Sequence, residues 1–423
     1  MRPRLHFALV FLVAAIACPA TAQTAAKEQA VWRDSFEVVW TTVRDHNPDA
    51  KLNGLDWQAI HEAFQPRIQK ARSLVEVRDI LREMIGKLGV SHYSIIPGDL
   101  YGAVASTASA ASGAGIETVI LDGKAVVKAV KADSAAARAG VQAGMVLDSI
   151  DGSAVKPLLD TAGALEDSEA RRLVTRSVTQ KLTGPGESPL QLDLVDSAGK
   201  AKHVEVKGGD SATTVEFGNL PKTRLEFESR ALPGGAGYIR FNEFLDPVTL
   251  MPRFESAMRG FADAPGVVLD LRGNPGGIGI MAMGIAGFFV GESGRQLGEM
   301  KMRDTVLKFT VFPRAETYKG RVAILLDEGS ASTTEMLAQG LRDLKRVRIF
   351  GTRSAGAALP SDIVRLPDGD GFQYPTASYT SVSGLVLEGN GVTPDVEVRQ
   401  TREALAAGRD LVIEAAAAWI AGR

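Results

Sequence analysis

The second half of the chain alternates two hydrophobic patterns. Gly237 to Arg240, Val267 to Leu271, Val322 to Leu326 and Val347 to Phe350 are short apolar runs, whereas Thr249 to Phe261, Ile280 to Phe289 and Thr333 to Leu344 carry apolar residues at helical spacing. Strand, helix and strand in succession predict an α/β core, because a sheet flanked by helices is what buries both patterns together. No repeat of fixed period interrupts it.

The rest of the chain has a different character. With 423 residues, a size of roughly 100 to 200 residues per domain predicts two or three domains. Val31 to Arg44 and Leu55 to Leu88 carry apolar residues three and four apart, including Phe36, Val39, Val43, Val77, Leu81 and Met84, and predict a small helical domain. His46-Asn47-Pro48-Asp49 breaks it once, and Gly89 is the expected stop of the last helix. Ser106 to Ala114 is almost all Ser, Ala, Thr and Gly, a linker with little surface to bury. Short strands are expected beyond it at Gly115 to Val119, Ala125 to Val130, Val146 to Ile150, Leu190 to Leu194 and Lys202 to Val206, with a short helix over Ser134 to Ala139.

Composition narrows the function classes. A net charge of -2, with 45% hydrophobic and 23% charged residues, describes a soluble globular chain without the basic excess that nucleic acid requires. Arg2 and Arg4, the apolar run Phe7 to Ala17 and the small residues Ala20-Thr21-Ala22 read as an export signal cleaved near Gln23. The run is shorter than the roughly 18 to 20 apolar residues a membrane span needs. Export to the periplasm or beyond is therefore expected, with lipidation at Cys18 as the alternative. Cys18 is the only cysteine, so the cleaved chain has neither a disulfide nor a thiolate nucleophile.

Hydrolysis by serine requires an alcohol, a base and donors for the oxyanion. Leu325-Leu326-Asp327-Glu328-Gly329-Ser330-Ala331-Ser332-Thr333-Thr334-Glu335 runs from a buried strand through a turn into a helix, where a serine sits beside unpaired backbone N–H groups. Taken alone, Ser330 or Ser332 could simply cap that helix. Upstream, Asp270-Leu271-Arg272-Gly273-Asn274-Pro275-Gly276-Gly277 ends a strand in glycines, which let a backbone amide approach a substrate.

Together these segments resemble the C-terminal processing peptidases and their tricorn-core relatives. The resemblance spans about Val31 to Val398 and implies an α+β multidomain chain. Its parts would be a signal peptide (1–22), a helical N-terminal domain (23–102), a PDZ-like β-rich domain (103–209) and an α/β catalytic core of the ClpP/crotonase-like kind (210–423). Asp133 to Leu147, followed by Ile150-Asp151-Gly152, is similar to the most recognisable segment of PDZ domains in bacterial proteases. The family's nucleophile stands three residues before an acidic residue, which selects Ser332 through Glu335 and leaves Ser330 as the alternative. The oxyanion hole falls to the amides of Gly277 and Thr333, with Gly276 in reserve.

Many such peptidases use a lysine as base in a Gly-Lys-Gly turn. Here Ala357 occupies that place, and no lysine occurs from Arg346 onward. The resemblance instead matches Ser91-His92 to the Ser-His pair of the tricorn-core branch and Glu388, in Leu387-Glu388-Gly389-Asn390-Gly391, to the glutamate that completes a Ser-His-Ser-Glu tetrad. A lysine from elsewhere, such as Lys301, is the alternative base. The implied activity is a serine endopeptidase acting on exported or unfolded polypeptides. Their free C-termini would be held by backbone amides near Gly113, Gly115 and Ile116. No metal or cofactor is implied. A non-catalytic PDZ-containing scaffold with a peptidase-like fold is the rival reading, and the oligomeric state is left open.

Overall fold

A computed structural model describes residues 19–90, 92–98, 114–164, 178, 182, 189–207, 214–215 and 223–422. The apolar segment of the expected export signal with Cys18, as well as Ser91, Gly113 and most of the Ser/Ala-rich linker, lie outside the described residues.

Three helices open the chain: α1 (Pro19–His46), α2 (Trp57–Lys70) and α3 (Leu74–Gly86). The Asp56 side chain caps α2 by accepting the Ala59 N–H, and Ser73 caps α3 by accepting that of Glu76. The single helical run expected from Leu55 to Leu88 is thus split at the Ser73 cap, and α3 stops at Gly86, one turn before Gly89, which takes φ +67° in the turn that follows. Phe36, Val39, Val43, Phe64, Ile68, Val77, Leu81 and Met84 close a core between the helices.

After β1 (Ser94–Ile96), a β-rich unit comprises β2 (Ile116–Leu121), β3 (Lys124–Val130), α4 (Ala135–Arg138), β4 (Val146–Ile150), β5 (Ser153–Ala154), α5 (Lys156–Ala164), β6 (Leu190–Val195) and β7 (Ala201–Val206). The strand order is β2-β3-β4-β6-β7, with β5 on β4, so β2 is an edge among the described residues. Leu190, Leu192 and Leu194 alternate inward along β6 onto a core with Ala125, Val127 and Leu147. β8 (Thr214–Val215) and β9 (Thr223–Arg224) form a separate pair.

The final part runs β10 (Phe227–Ala231), β11 (Gly237–Phe241), α6 (Pro247–Gly260), β12 (Gly266–Asp270), α7 (Gly279–Ala286), β13 (Gln296–Met302), β14 (Val306–Thr310), β15 (Arg321–Leu326), α8 (Thr333–Asp343), β16 (Arg348–Gly351), β17 (Ser361–Arg365), β18 (Gly371–Pro375), β19 (Ala377–Ser381), β20 (Val396–Glu397), α9 (Arg402–Ala406) and α10 (Leu411–Ile420). The main sheet has the order β10-β11-β12-β15-β16-β20, parallel from β11 onward. Val267 and Leu269 face α6, α7 and α8, while Val268 faces α10, so three successive apolar residues of β12 are buried on both faces of the sheet.

Two further sheets are absent from the sequence reading: β14-β13-β19, and the β17–β18 hairpin, which takes β1 as its third strand. Leu366 and Phe372 of that hairpin region belong to the core of the helical domain, so a late segment of the chain is buried among the first helices. The β-rich unit is tied to the main sheet by Arg240, which donates to both oxygens of Glu117 at 2.6 and 2.8 Å, and to α9 by Arg402, which donates to the Gly144 carbonyl at 2.8 Å.

Candidate active site

The loops that leave the C-terminal ends of β12, β15 and β16 converge, as open parallel sheets dispose them. Ser330 and Ser332 both lie in the loop after β15, but the fold treats them differently. Ser330 is fully buried; its Oγ donates to the Leu271 carbonyl at 2.9 Å and accepts the Asp327 N–H at 3.0 Å, so it secures the turn. Ser332 is half-buried at the N-terminus of α8, with φ 54° and ψ −120°. A serine in this region costs about 1–3 kcal/mol, and such strain concentrates where a side chain must be presented sharply.

Glu335 supports that conformation. It is fully buried; Oε2 accepts the N–H of Ser332 at 2.9 Å and of Ala357 at 3.1 Å, and Oε1 accepts Ser354 Oγ at 2.5 Å and the Gly356 N–H at 2.8 Å. Burial pushes this carboxyl above its ordinary range, and the four donors oppose the rise. The Ser332 N–H also points to the Ala357 carbonyl at 2.8 Å. The Ala357 methyl is fully buried and forms a small apolar cluster with Ala331 and Ala355, whereas Lys301 lies exposed on β13.

Asn274 shapes the glycine turn opposite. Its buried Oδ1 accepts the Gly276 N–H at 2.9 Å and Thr334 Oγ1 at 3.0 Å, and its Nδ2 donates to the Phe241 carbonyl. The role of Asn274 went unread in the sequence, although its fixed place between Arg272 and the paired glycines marked it. Gly276 takes φ +100°, and a Cβ there would lie 2.8 Å from both Ser332 Cβ and the Thr333 nitrogen. Gly277 takes φ +135°; its bridge to Phe244 uses the Gly276 carbonyl and the Ile278 amide, which leaves the Gly277 amide outside it. Thr333 Oγ1 donates to the Gly277 carbonyl at 2.7 Å. The two residues assigned to the oxyanion hole are thereby joined directly, beside Ser332.

Asp270 and Arg272 of the same segment are structural. Arg272 bridges Asp270 and Asp410 at 2.6 and 2.8 Å, and although burial alone would raise it, the guanidinium holds the Asp270 carboxyl far below its ordinary range.

His92 is buried at φ +66° just before β1. The register of β1 on β18 pairs Ser94 with Gln373, and that of β18 on β17 pairs Pro375 with Ser361. The His92 end of β1 therefore lies toward Ser361, four residues after Ala357. Glu388 reaches the same segment, since its Oε2 accepts the Ala358 N–H at 3.1 Å. Ser91 is outside the described residues. His61 instead pairs with Glu37, and His203 with Asp193 on the β-rich sheet. Of the carboxylate-loop candidates, Gly115 takes φ +79° against Ser134, and Ile116 begins the edge strand β2.

Among the described residues no helix is long and apolar enough to cross a membrane.

Three segments of the chain match known protein families. Residues 28–86 match the tricorn protease C1 domain, residues 126–178 a PDZ domain and residues 235–398 peptidase family S41. A tricorn protease homolog of Streptomyces coelicolor is 26% identical over 92% of the chain, and a carboxy-terminal-processing protease of Bartonella bacilliformis is 27% identical over 70%. The chain covers 32% and 63% of these two proteins. A solved photosystem II D1 C-terminal processing protease shares the fold with a TM-score of 0.54 and 22% identity, over 87% of this chain and 93% of that one. Its helical, PDZ and catalytic segments are thus similar, in this order along the chain, to the tricorn protease C1 domain, a PDZ domain and peptidase family S41, the last over residues 235–398.

Proposed function

We propose that the chain is an exported serine endopeptidase that cleaves unfolded or exported polypeptides through Ser332, His92, Ser91 and Glu388. The observation that carries this reading is the strained Ser332 at the start of α8, set against Gly276 with Thr333 bonded to Gly277. His92 takes the proton from Ser332 Oγ as that oxygen bonds to the scissile carbonyl carbon. The Gly277 and Thr333 amides receive the oxyanion. The same proton passes to the leaving amine when the C–N bond breaks, and water then releases the acyl group from the serine with His92 acting again as base.

Ser91 and Glu388 orient the imidazole in this scheme. Support comes from the β1–β18–β17 register, which directs His92 toward the loop that accepts the Ser332 amide, and from the Glu388 bond to Ala358 in that loop. The buried Ala357 methyl at the position of the alternative lysine is consistent with a histidine base. The PDZ-like unit binds a substrate's free C-terminal tail as an added strand on β2, with its carboxylate at the amides near Gly113, Gly115 and Ile116. The place of β2 at the end of the strand order among the described residues supports this reading.

Mass-spectrometric mapping of cleavage in an unfolded model protein tests the activity. Cleavage by the wild type that disappears in Ser332→Ala and in His92→Ala is expected. A folded wild type that cuts nothing would favour the scaffold reading, and cleavage that survives His92→Ala would favour a lysine base.

A further inference from the structure

We propose that Asp370 is a positioning residue for the base: it fixes the strand that carries His92 relative to the loop that holds Ser332. The inference rests on the assignment of His92 as base. Strand β1 has three residues and a single partner strand, β18, among the described residues. So short a ladder has little hold of its own.

Asp370 immediately precedes β18 and is fully buried. Its Oδ1 accepts the Gly98 N–H at 2.6 Å, two residues past the end of β1. Arg78 on α3 grips the same carboxylate with Nε and Nη2 at 2.7 and 2.8 Å. At Gly98 an added Cβ would meet the Gly369 carbonyl oxygen at 2.7 Å, so strand and hairpin tip are in close contact at this joint. One carboxylate thus joins α3, the end of β1 and the hairpin.

The opposite end of β1 is pinned as well. Tyr93 stacks on Phe372 of β18 at 6.1 Å, and its hydroxyl accepts Asn47 Nδ2 at 2.7 Å. From the hairpin the path to the nucleophile is short. β17 begins at Ser361, three residues after Ala358, which donates to Glu388, and four after Ala357, whose carbonyl accepts the Ser332 N–H. The base and the nucleophile come from segments some 240 positions apart, and this hairpin is the paired piece of chain between them. Proton transfer requires hydrogen-bond reach, so a small shift of β1 removes the base while leaving Ser332 and its glycines in place.

A double-variant cycle tests the proposal on the full-length protein, with the second-order rate of Ser332 labelling by a fluorophosphonate and kcat and KM on a peptide as readouts. Asp370→Asn is expected to lower the labelling rate and kcat on the order of 10- to 100-fold with KM nearly unchanged. In the His92→Ala background it is expected to cause no further loss, because its effect passes through the histidine. Arg78→Lys, which keeps the charge but loses the two-pronged grip, is the milder second variant and should fall between wild type and Asp370→Asn. Losses that multiply in the double variant, or folded Asp370→Asn and Arg78→Lys proteins that label at the wild-type rate, would overturn the proposal. A His92→Ala protein that labels like wild type would instead remove the base assignment itself, a result the same cycle reads separately.

Discussion

The Glu335 carboxylate holds the backbone amide of Ser332, with Oε2 at 2.9 Å from that nitrogen, while its other oxygen takes Ser354 and Gly356. The spacing of three residues between them is the pitch of one helical turn, which lets a side chain in the first turn of α8 reach back to the residue that starts it. Four donors converge on this buried group. It fixes the strained serine and the loop after β16 in one contact.

Replacing Glu335 by Gln keeps the shape but sets an NH2 group against backbone donors. The expected cost is about 1–3 kcal/mol of stability, from a buried polar group left with the wrong partner. Ser332 labelling should fall about tenfold or more as the turn relaxes. Urea melts and probe labelling of the folded protein check the two effects separately.

Ser330→Ala separates the two serines. Loss of its bonds to Leu271 and Asp327 should cost about 1–2 kcal/mol, measured as a shift in the urea midpoint, while Ser332 is still labelled. A folded Ser330→Ala protein that no longer reacts would place the nucleophile at 330.

Gly276→Ala tests the closeness of the glycine turn. A methyl there would press on Ser332 Cβ and the Thr333 nitrogen, each 2.8 Å away, at a φ of +100° that alanine rarely adopts. The expected result is a destabilisation of at least about 1 kcal/mol, and labelling reduced about 100-fold or more as the oxyanion donors move. Thermal melts and labelling rates read both.

Acid should loosen the joint between the β-rich unit and the core. Burial pushes the Glu117 carboxyl up, but the Lys128 ammonium and the Arg240 guanidinium outweigh it and hold the group at about 2, below its ordinary 4.5. The folded value lies below the unfolded one, so this stabilisation is complete above about pH 4.5 and is lost as the pH falls from there through about 2. Urea midpoints of wild type and Glu117→Gln should differ most at neutral pH and converge across that window.

Much of this was legible in the sequence. The central residues of strands β11, β12, β15 and β16 are buried on both faces, so they stand out as short apolar runs, and α8 follows a turn whose serines and Glu335 sit at fixed spacing. The β17–β18 hairpin was not legible. Ser361 to Arg365 has no clean alternation and is largely exposed, and the hairpin's apolar residues pack on helices some 290 to 330 positions earlier, a partnership no local pattern encodes. Asp370 was missed for the same reason: in the sequence it is one acidic residue in the turn Pro367-Asp368-Gly369-Asp370, and only its distant partners Arg78 and Gly98 give it weight.

The account turns on Ser332 being activated by His92 without a lysine at position 357. Peptide-mapped labelling by a fluorophosphonate, compared between wild type and His92→Ala, addresses this most directly. The account predicts a single modified residue, Ser332, in the wild type and a loss of about 1,000-fold or more in labelling rate without the imidazole. Undiminished labelling in folded His92→Ala, or modification at any other serine, would contradict it.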